Sequence, residues 1–153
     1  MRKLIVFLSI MMFISCSQDK EEKRNNIQKN DTLTTISSID RVFTDYKKAF
    51  LVAKKEKKPL FILFTTKYCR WCKKLKNITL KNSEIIKRLN SEFIVLELDK
   101  DYSHYPKKYD VSAVPTLYLT NNSGEIFTSI VGYHKNPNDY IKWFDYIKVE
   151  LAK

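Results

Sequence analysis

The stretch LFILFTTKYCRWC, residues 60–72, joins a run of large apolar residues to a closely spaced pair of cysteines. The five apolar residues 60–64 are typical of a strand that is buried on both faces of a sheet. The charged segment that follows, residues 70–80, has a helical pattern. Cys69 and Cys72 are therefore predicted to lie where a buried strand passes into the front of a helix.

The chemistry of the pair follows from that position. A cysteine at a helix N-terminus meets unpaired backbone N–H groups and the positive end of the helix dipole, which together stabilise a thiolate. The neighbouring cations, at positions 67, 70, 73 and 74, act in the same direction. We predict that Cys69 is the exposed nucleophile and that Cys72, one turn deeper, resolves a mixed disulfide.

Two other uses of a C-x-x-C pair stay open, namely half of a zinc site and an inert structural disulfide. The chain has three cysteines and two histidines. It contains no second C-x-x-C, and His104 and His134 fall in other segments without paired spacing. The redox interpretation is therefore favoured, and the sequence predicts neither a metal site nor another cofactor.

Hydrophobic periodicity extends the pattern outward from residues 60–72. We predict helices over residues 40–57, 70–80, 83–90, 105–109 and 138–152, and strands over residues 60–64, 93–98, 116–119 and 125–131. The last helix is expected to turn five apolar side chains inward: Tyr140, Ile141, Phe144, Ile147 and Leu151. Strand, helix and strand in succession require a parallel pair with a right-handed crossover. The predicted fold is α/β, with a central mixed β-sheet and helices on both faces.

A second candidate element of the site is Val114-Pro115-Thr116, at the start of a predicted strand. Proline has no N–H to donate to a sheet, so it belongs at a strand beginning or edge. A cis bond before Pro115 would bring this loop against the cysteines and leave the backbone of Val114 free to pair with an extended peptide. Taken alone, a Val-Pro bond favours the trans form, and the cis prediction depends on the context given below.

The N-terminus carries the pattern of an export signal. Arg2 and Lys3 precede an apolar run over residues 4–14, which is too short to span roughly 30 Å of hydrocarbon as a helix. The order Phe13-Ile14-Ser15-Cys16 resembles a bacterial lipobox, which implies cleavage after residue 15 and lipidation of Cys16. An uncleaved anchor, or cleavage elsewhere with Cys16 unmodified, are the alternatives.

Residues 17–38 are polar and almost free of large apolar side chains, so they are predicted to form a flexible tether. One domain, residues 39–153, would follow. The formal net charge of the chain is +11, with lysines in every segment. Because an exported protein rarely meets nucleic acid, we interpret this charge as solvation and attraction to lipid head groups, and we predict no nucleic-acid partner.

Four parts of the chain jointly resemble thioredoxin: residues 60–72, 96–99 and 109–116, and Val131-Gly132 before the last helix. The similarity covers nearly all of residues 40–152. The extra N-terminal helix, the Lys-rich helix after the cysteines and the tether resemble thioredoxin-like lipoproteins and the C-terminal periplasmic domain of Dsb-type disulfide interchange reductases. The resemblance implies a thioredoxin-like fold, with Cys69 as nucleophile, Cys72 as resolver and Pro115 as the cis-proline that faces them.

The sequence also departs from that family. Arg70-Trp71 replaces the usual Gly-Pro between the cysteines, so Trp71 either contributes to substrate binding or simply packs. The positions of the family's buried acid and of its lysine partner are Leu63 and Val95, both apolar. Cys72 is therefore expected to lose its proton slowly or to water. Glu97 and Asp99 are interpreted as solvated strand ends rather than as a substitute base. Tyr133 is interpreted as one of several core or rim aromatic residues, with a place in the substrate groove as the alternative.

These observations predict a thiol–disulfide oxidoreductase that acts on disulfides of exported proteins, as a reductase by analogy with the family. It would be a periplasmic monomer anchored by lipid, with electrons supplied by a membrane redox partner. Delivery of electrons to haem-attachment cysteines is a sub-case. Ser17, in place of an acidic residue, favours the outer membrane slightly. The alternative is a membrane-tethered peptide-binding module without turnover.

Overall fold

The computed structural model describes residues 36–152. The predicted signal peptide, the predicted lipidation site Cys16 and most of the predicted tether lie outside the described residues. The elements follow the order β1 (Val42–Phe43), α1 (Tyr46–Glu56), β2 (Leu60–Thr65), α2 (Arg70–Asn77), a 3-10 turn (Thr79–Lys81), α3 (Ser83–Glu92), β3 (Ile94–Asp99), β4 (Thr116–Thr120), β5 (Ile126–Val131) and α4 (Asn138–Glu150).

The five strands form one sheet in the order β1-β3-β2-β4-β5. Strand β3 lies parallel to both β1 and β2, while β4 pairs antiparallel with both β2 and β5. The crossover from β2 to β3 carries α2 and α3, and β4 and β5 form the predicted hairpin. The predicted α/β fold with a central mixed sheet is confirmed.

Both faces of the sheet are covered, which explains why β2 and β3 are apolar without alternation. Every residue of β2 and of β3 is buried. One face packs against α1 through a cluster that includes Tyr46 and Leu96. The other face packs against α2, α3 and α4 through a cluster that includes Leu75, Leu89 and Phe144. Helix α2 is thereby fixed against the second face. We call residues 66–72, which join β2 to the first turn of α2, the cysteine turn.

The helix predicted over residues 40–57 is wrong in its first part. Val42 and Phe43 form the short edge strand β1 beside β3. Helix α1 begins only at Tyr46, because Asp45 is its N-cap and accepts a hydrogen bond from the backbone N–H of Lys48 (2.9 Å). Apolar residues at this spacing fit a helix locally, and the pairing with a distant strand decides against it.

The short helix predicted over residues 105–109 is also wrong, since turns and bends occupy that part of the connection between β3 and β4. Pro106 disfavours helical backbone at the residue before it. The hydroxyl of Tyr105 instead donates a hydrogen bond to the carbonyl oxygen of Lys100 (2.9 Å). Tyr109 is buried, and its hydroxyl lies 3.2 Å from that of Tyr46 on α1.

The packed domain begins earlier than residue 39, the boundary expected from the sequence. Ile36, which the sequence assigned to the tether, is buried in the core under α2, α3 and α4. At the other end, Leu151 is exposed and the prediction that it faces inward is wrong, because α4 ends at Glu150. No helix within residues 36–152 is both long and apolar enough to cross a membrane.

Candidate active site

Cys69 and Cys72 are joined by a disulfide at the N-terminus of α2, with their Cα atoms 5.2 Å apart. Cys69 is the N-cap of the helix, and its sulfur accepts a hydrogen bond from the backbone N–H of Cys72 (3.0 Å). Cys69 is half-buried, whereas Cys72 is only 2% exposed. One sulfur therefore lies nearer to solvent than the other, which is the arrangement that an attacking and a resolving thiol require.

The turn from β2 into α2 sets this arrangement. Strand β2 ends at Thr65, and the backbone N–H of Cys69 donates a hydrogen bond to the carbonyl oxygen of Thr66 (3.2 Å). The turn leaves Cys69 beside the unpaired N–H groups that begin the helix. The first turn of α2 contains no acidic residue, and Arg70 and Lys73 are exposed there. Once the disulfide is reduced, these charges favour a thiolate at Cys69.

The loop before β4 contributes the other wall of the site. The peptide bond between Val114 and Pro115 is cis, as the resemblance implies. The backbone N–H of Gly132 donates a hydrogen bond to the carbonyl oxygen of Pro115 (2.8 Å), which ties this loop to the end of β5. Within residues 36–152, the backbone of Val114 makes no hydrogen bond. An extended peptide could therefore pair with it.

A cavity of about 240 Å³ connects this loop to the cysteine turn, and it is lined by Trp71, Val114, Pro115, Gly132 and Tyr133. The three residues proposed from the sequence for substrate binding thus border one space. Trp71 is 49% exposed and stacks on Tyr133, with ring centroids 5.7 Å apart and planes 22° from parallel. Tyr133 is therefore a wall of this cavity, which is the alternative to its interpretation as a core or rim residue.

The signal for Tyr133 was present but weak. It follows Gly132, whose φ of +87° lets the chain leave β5 toward the cysteine turn. A single tyrosine after a glycine does not by itself indicate a stacking partner. The contact is made between two segments that are far apart in the sequence and meet only in the folded chain.

A buried ion pair lies on the same face of α2 as Cys72. The Nζ atom of Lys76 lies 2.5 Å from Oε1 of Glu97, and the hydroxyl of Thr65 donates a hydrogen bond to the same oxygen (3.3 Å). The side chains of Lys76 and Glu97 are 5% and 1% exposed. The expectation that Glu97 is a solvated strand end is therefore wrong, because α2 covers that end of β3.

The electrostatics of Glu97 follow from its surroundings. Burial raises the pKa of its carboxyl, and the charge and hydrogen bond of Lys76 offset this effect only in part. Its second oxygen, Oε2, has no hydrogen-bond partner among the described residues. Lys76 follows Cys72 by four residues, so the two side chains are neighbours along one face of the helix. An ionisable pair therefore lies one helical turn from the buried thiol.

The other positions considered from the sequence do not supply such a group. Leu63 and Val95 are buried in the core, and Leu63 lies beside Glu97 in the register of β2 and β3. Asp99 is also buried, and one of its oxygens accepts hydrogen bonds from the backbone N–H groups of Asp101 (2.9 Å) and Tyr102 (3.2 Å). Asp99 therefore stabilises the turn after β3, and its interpretation as a solvated strand end is wrong.

Within residues 36–152, no group of three or more His, Cys, Asp or Glu side chains is arranged to hold a metal ion. His134 instead lies near Asp139, with Nδ1 and Oδ2 3.6 Å apart.

The arrangement of strand, cysteine turn, helix and cis-proline loop agrees with the comparison with known proteins. The family model described as a thioredoxin-like domain matches residues 46–148, which is more than half of the chain. The chain belongs to the thioredoxin-like family. Membership gives the disulfide at positions 69 and 72 the context of a thioredoxin-like oxidoreductase fold.

Individual proteins are similar to part of this chain. Thioredoxin of Rickettsia bellii is 33% identical over 88 residues, which are 57% of this chain and 79% of that protein. Anterior gradient protein 3 of Mus musculus is 28% identical over 91 residues, which are 60% of this chain. The chain spans about half of that relative, 55% of its length.

Solved structures agree on the fold. A thioredoxin from Thermus thermophilus matches with a TM-score of 0.62 at 18% identity, covering 74% of this chain and 89% of that one. The oxidised C-terminal domain of DsbD from Neisseria meningitidis matches with a TM-score of 0.55 at 23% identity, covering 69% and 98%. The predicted thioredoxin-like fold and its likeness to the Dsb-type domain are confirmed.

Proposed function

We propose that this protein is a thiol–disulfide oxidoreductase that reduces disulfides of exported proteins through Cys69 and Cys72. The observation that carries the proposal is the disulfide at the N-terminus of α2, with a half-buried first cysteine and a buried second one. An inert structural disulfide has no need of an unpaired backbone edge and an open cavity beside it. Both lie next to this pair.

The reaction transfers two electrons from the reduced pair to a substrate disulfide. The Cys69 thiolate attacks one substrate sulfur, the substrate S–S bond breaks, and the leaving substrate thiolate takes a proton from water. Cys72 then loses its proton, and its thiolate attacks the Cys69 sulfur of the mixed disulfide. The Cys69–Cys72 bond forms, and the second substrate thiolate leaves. A dithiol partner at the membrane would return two electrons for the next cycle.

The second step needs an acceptor for the proton of Cys72, and we assign this role to the pair of Glu97 and Lys76. Desolvation without a base would raise the pKa of a buried thiol. Lys76 of this pair lies one helical turn from Cys72, and its partner is Glu97. Burial raises the pKa of Glu97 toward neutral pH, which makes its carboxylate a better proton acceptor. This proposal differs from the expectation, based on the apolar Leu63 and Val95, that Cys72 loses its proton slowly or to water.

The substrate peptide would bind at the cis-proline loop. The backbone of Val114 offers unpaired groups to an extended strand, and Pro115, Trp71 and Tyr133 line the adjoining cavity. Main-chain pairing of this kind accepts many sequences, because it does not read side chains. The site therefore suits a reductase with several protein substrates.

The cellular setting belongs to the same proposal. The lipobox-like sequence before Cys16 supports export and lipid anchoring, and the polar tether supports a domain that works close to a membrane surface. Growth with a labelled fatty acid tests this directly. The label is expected on the full chain and is expected to be absent from a Cys16→Ala variant. Equal labelling of both would overturn the anchoring proposal.

Reduction of insulin disulfides by the full chain in the presence of dithiothreitol tests the activity. The wild type is expected to accelerate insulin precipitation, and a Cys69→Ala variant is expected to lose this acceleration. A Cys72→Ala variant should accumulate mixed disulfides, which gel electrophoresis without reductant would separate and which would identify natural substrates. Equal rates for the wild type and Cys69→Ala would favour the alternative, a peptide-binding module that holds partners at the Val114 edge without turnover.

A further inference from the structure

The cysteine turn carries a cluster of cations that the proposed chemistry does not fully use. Four of the eight residues 67–74 are basic, and no acidic residue occurs between residues 66 and 83. We call Lys67, Arg70, Lys73 and Lys74 the basic cluster. None of them forms an ion pair with any carboxylate of residues 36–152. A thiolate at Cys69 balances one charge and leaves the remainder facing solvent.

Three members of the cluster rest on aromatic rings. The Nζ atom of Lys67 lies 5.5 Å from the ring centroid of Tyr68. The guanidinium of Arg70 and the Nζ atom of Lys74 lie 5.7 Å and 4.7 Å from the ring centroid of Trp71. Such contacts restrict long side chains, so less conformational entropy is lost when a ligand binds to them. The cations are thus held in place beside the sulfur pair.

The surface between them is concave. A shallow depression of about 360 Å³ is lined by Tyr68, Arg70, Lys73, Lys74, Asn77 and Ile78. Tyr68 is 84% exposed, and Ile78 is exposed as well. The depression therefore combines three cations with two uncovered apolar side chains. Two of its lining residues, Tyr68 and Arg70, flank Cys69 in the sequence. A ligand in the depression would therefore lie next to any disulfide that Cys69 attacks.

Nearby carboxylates do not neutralise this surface. Glu97 pairs with Lys76 beneath α2, and Asp101 pairs with Lys100 (3.2 Å). Asp99 accepts two backbone hydrogen bonds in the turn after β3. The described acids of β3 and of the turn after it are therefore engaged elsewhere, and the positive potential at the depression is open to a ligand.

We propose that this depression binds an acidic segment of the substrate, so that the protein prefers disulfides with Asp or Glu near the attacked cysteine. The proposal rests on the proposed function and specifies its substrate class. An anionic lipid surface is the competing occupant. The peptide is favoured because the depression borders the cysteine turn, so a membrane seated on it would crowd the sulfur that has to meet substrate proteins.

The test compares two disulfide-linked peptide dimers that differ only in flanking residues, Glu-Glu in one and Lys-Lys in the other. Fluorophores that quench each other in the dimer report cleavage by the reduced full chain. Each rate is divided by the rate of dithiothreitol with the same dimer, which removes differences in the peptides' own reactivity. Because both dimers meet the same Cys69, their ratio is also independent of how reactive that thiolate is.

The wild type is expected to cleave the Glu dimer about tenfold faster than the Lys dimer at low salt. This is the effect expected when two exposed charge pairs that attract in one dimer repel in the other. The preference should shrink at 1 M salt, where the screening length is about 3 Å. The variant Lys73→Glu/Lys74→Glu should lose or invert it. The matched control Lys47→Glu/Lys48→Glu makes the same charge change on α1, at the other face of the sheet, and should keep it.

The possible failures are distinguishable. Cleavage of both dimers at equal normalised rates would overturn the acidic-substrate proposal and leave the oxidoreductase intact. Cleavage of neither would overturn the proposed function and this inference with it. A separate measurement uses vesicles of phosphatidylcholine with phosphatidylglycerol. Binding to them that depends on Lys73 and Lys74, together with equal peptide rates, would assign the depression to the membrane instead.

Discussion

The buried pair of Lys76 and Glu97 gives the sharpest stability prediction. Replacing Lys76 with Met keeps an unbranched apolar stem of similar size but removes the charged ammonium group. Glu97 would then be left in the core, with Oε2 already unpaired and only the hydroxyl of Thr65 on Oε1. Breaking a buried pair by removing one partner costs about 3–5 kcal/mol. That is a large share of a typical unfolding free energy of about 5–15 kcal/mol.

The loss should depend on pH. The pKa of Glu97 is already raised by burial, and removing Lys76 raises it further. A carboxyl whose pKa is higher in the folded state holds more protons there than in the unfolded chain. The free energy of unfolding therefore falls as pH rises from the pKa of the unfolded chain to that of the folded state. The penalty of Lys76→Met should therefore be smaller near pH 4, where Glu97 is protonated, than near pH 8.

Urea denaturation of the oxidised full chain, followed by far-ultraviolet circular dichroism, measures both effects. The double variant Lys76→Met/Glu97→Gln removes both charges and should recover most of the loss, to within about 1 kcal/mol of the wild type, because the uncompensated charge is what costs stability. A loss below about 1 kcal/mol for Lys76→Met at pH 8, or a double variant no more stable than the single one, would refute this reasoning.

Three further predictions follow from single contacts. Asp45→Ala removes the N-cap of α1 and should cost about 1 kcal/mol in urea denaturation, whereas Asp45→Asn should be nearly neutral. Gly124→Ala should cost more than Gly132→Ala by thermal unfolding: both have positive φ, but only the first would place a Cβ atom 3.1 Å from the Phe50 ring. Trp71→Ala should change the free energy of unfolding by no more than about 0.5 kcal/mol, since Trp71 is half exposed. It should nevertheless raise the KM for a disulfide peptide several-fold. An unchanged KM would remove Trp71 from the substrate site.

The proton-transfer assignment has its own readout. In Glu97→Gln the decay of the mixed disulfide formed with a model peptide should slow, and its rate should rise more steeply with pH, because Cys72 would then depend on solvent to lose its proton. A purely structural role for Glu97 would change unfolding but leave this pH profile in place. The variant Glu92→Gln, which makes the same change at a partly buried, ion-paired glutamate of α3, serves as the matched control.

The sequence predicts the structure where neighbours in the chain decide it. The apolar run over residues 60–64 predicts a strand covered on both faces, and the helical pattern after it predicts that the cysteine pair lies at the start of a helix. The prediction of a helix at Val42 and Phe43 is wrong because a distant segment decides: their spacing is helical, but they pair with β3. The helix predicted over residues 105–109 is wrong for a local reason, since Pro106 interrupts the segment.

The site divides in the same way. The order of residues alone determined that Cys69 and Cys72 share one helical turn and that Cys69 lies at its positive end, because a helix repeats every 3.6 residues and its dipole has a fixed direction. Only tertiary structure decided that Trp71 stacks on Tyr133 and that Lys76 meets Glu97. Those contacts depend on strand register and on how α2 packs across the sheet, and neither is encoded in any single stretch of the chain.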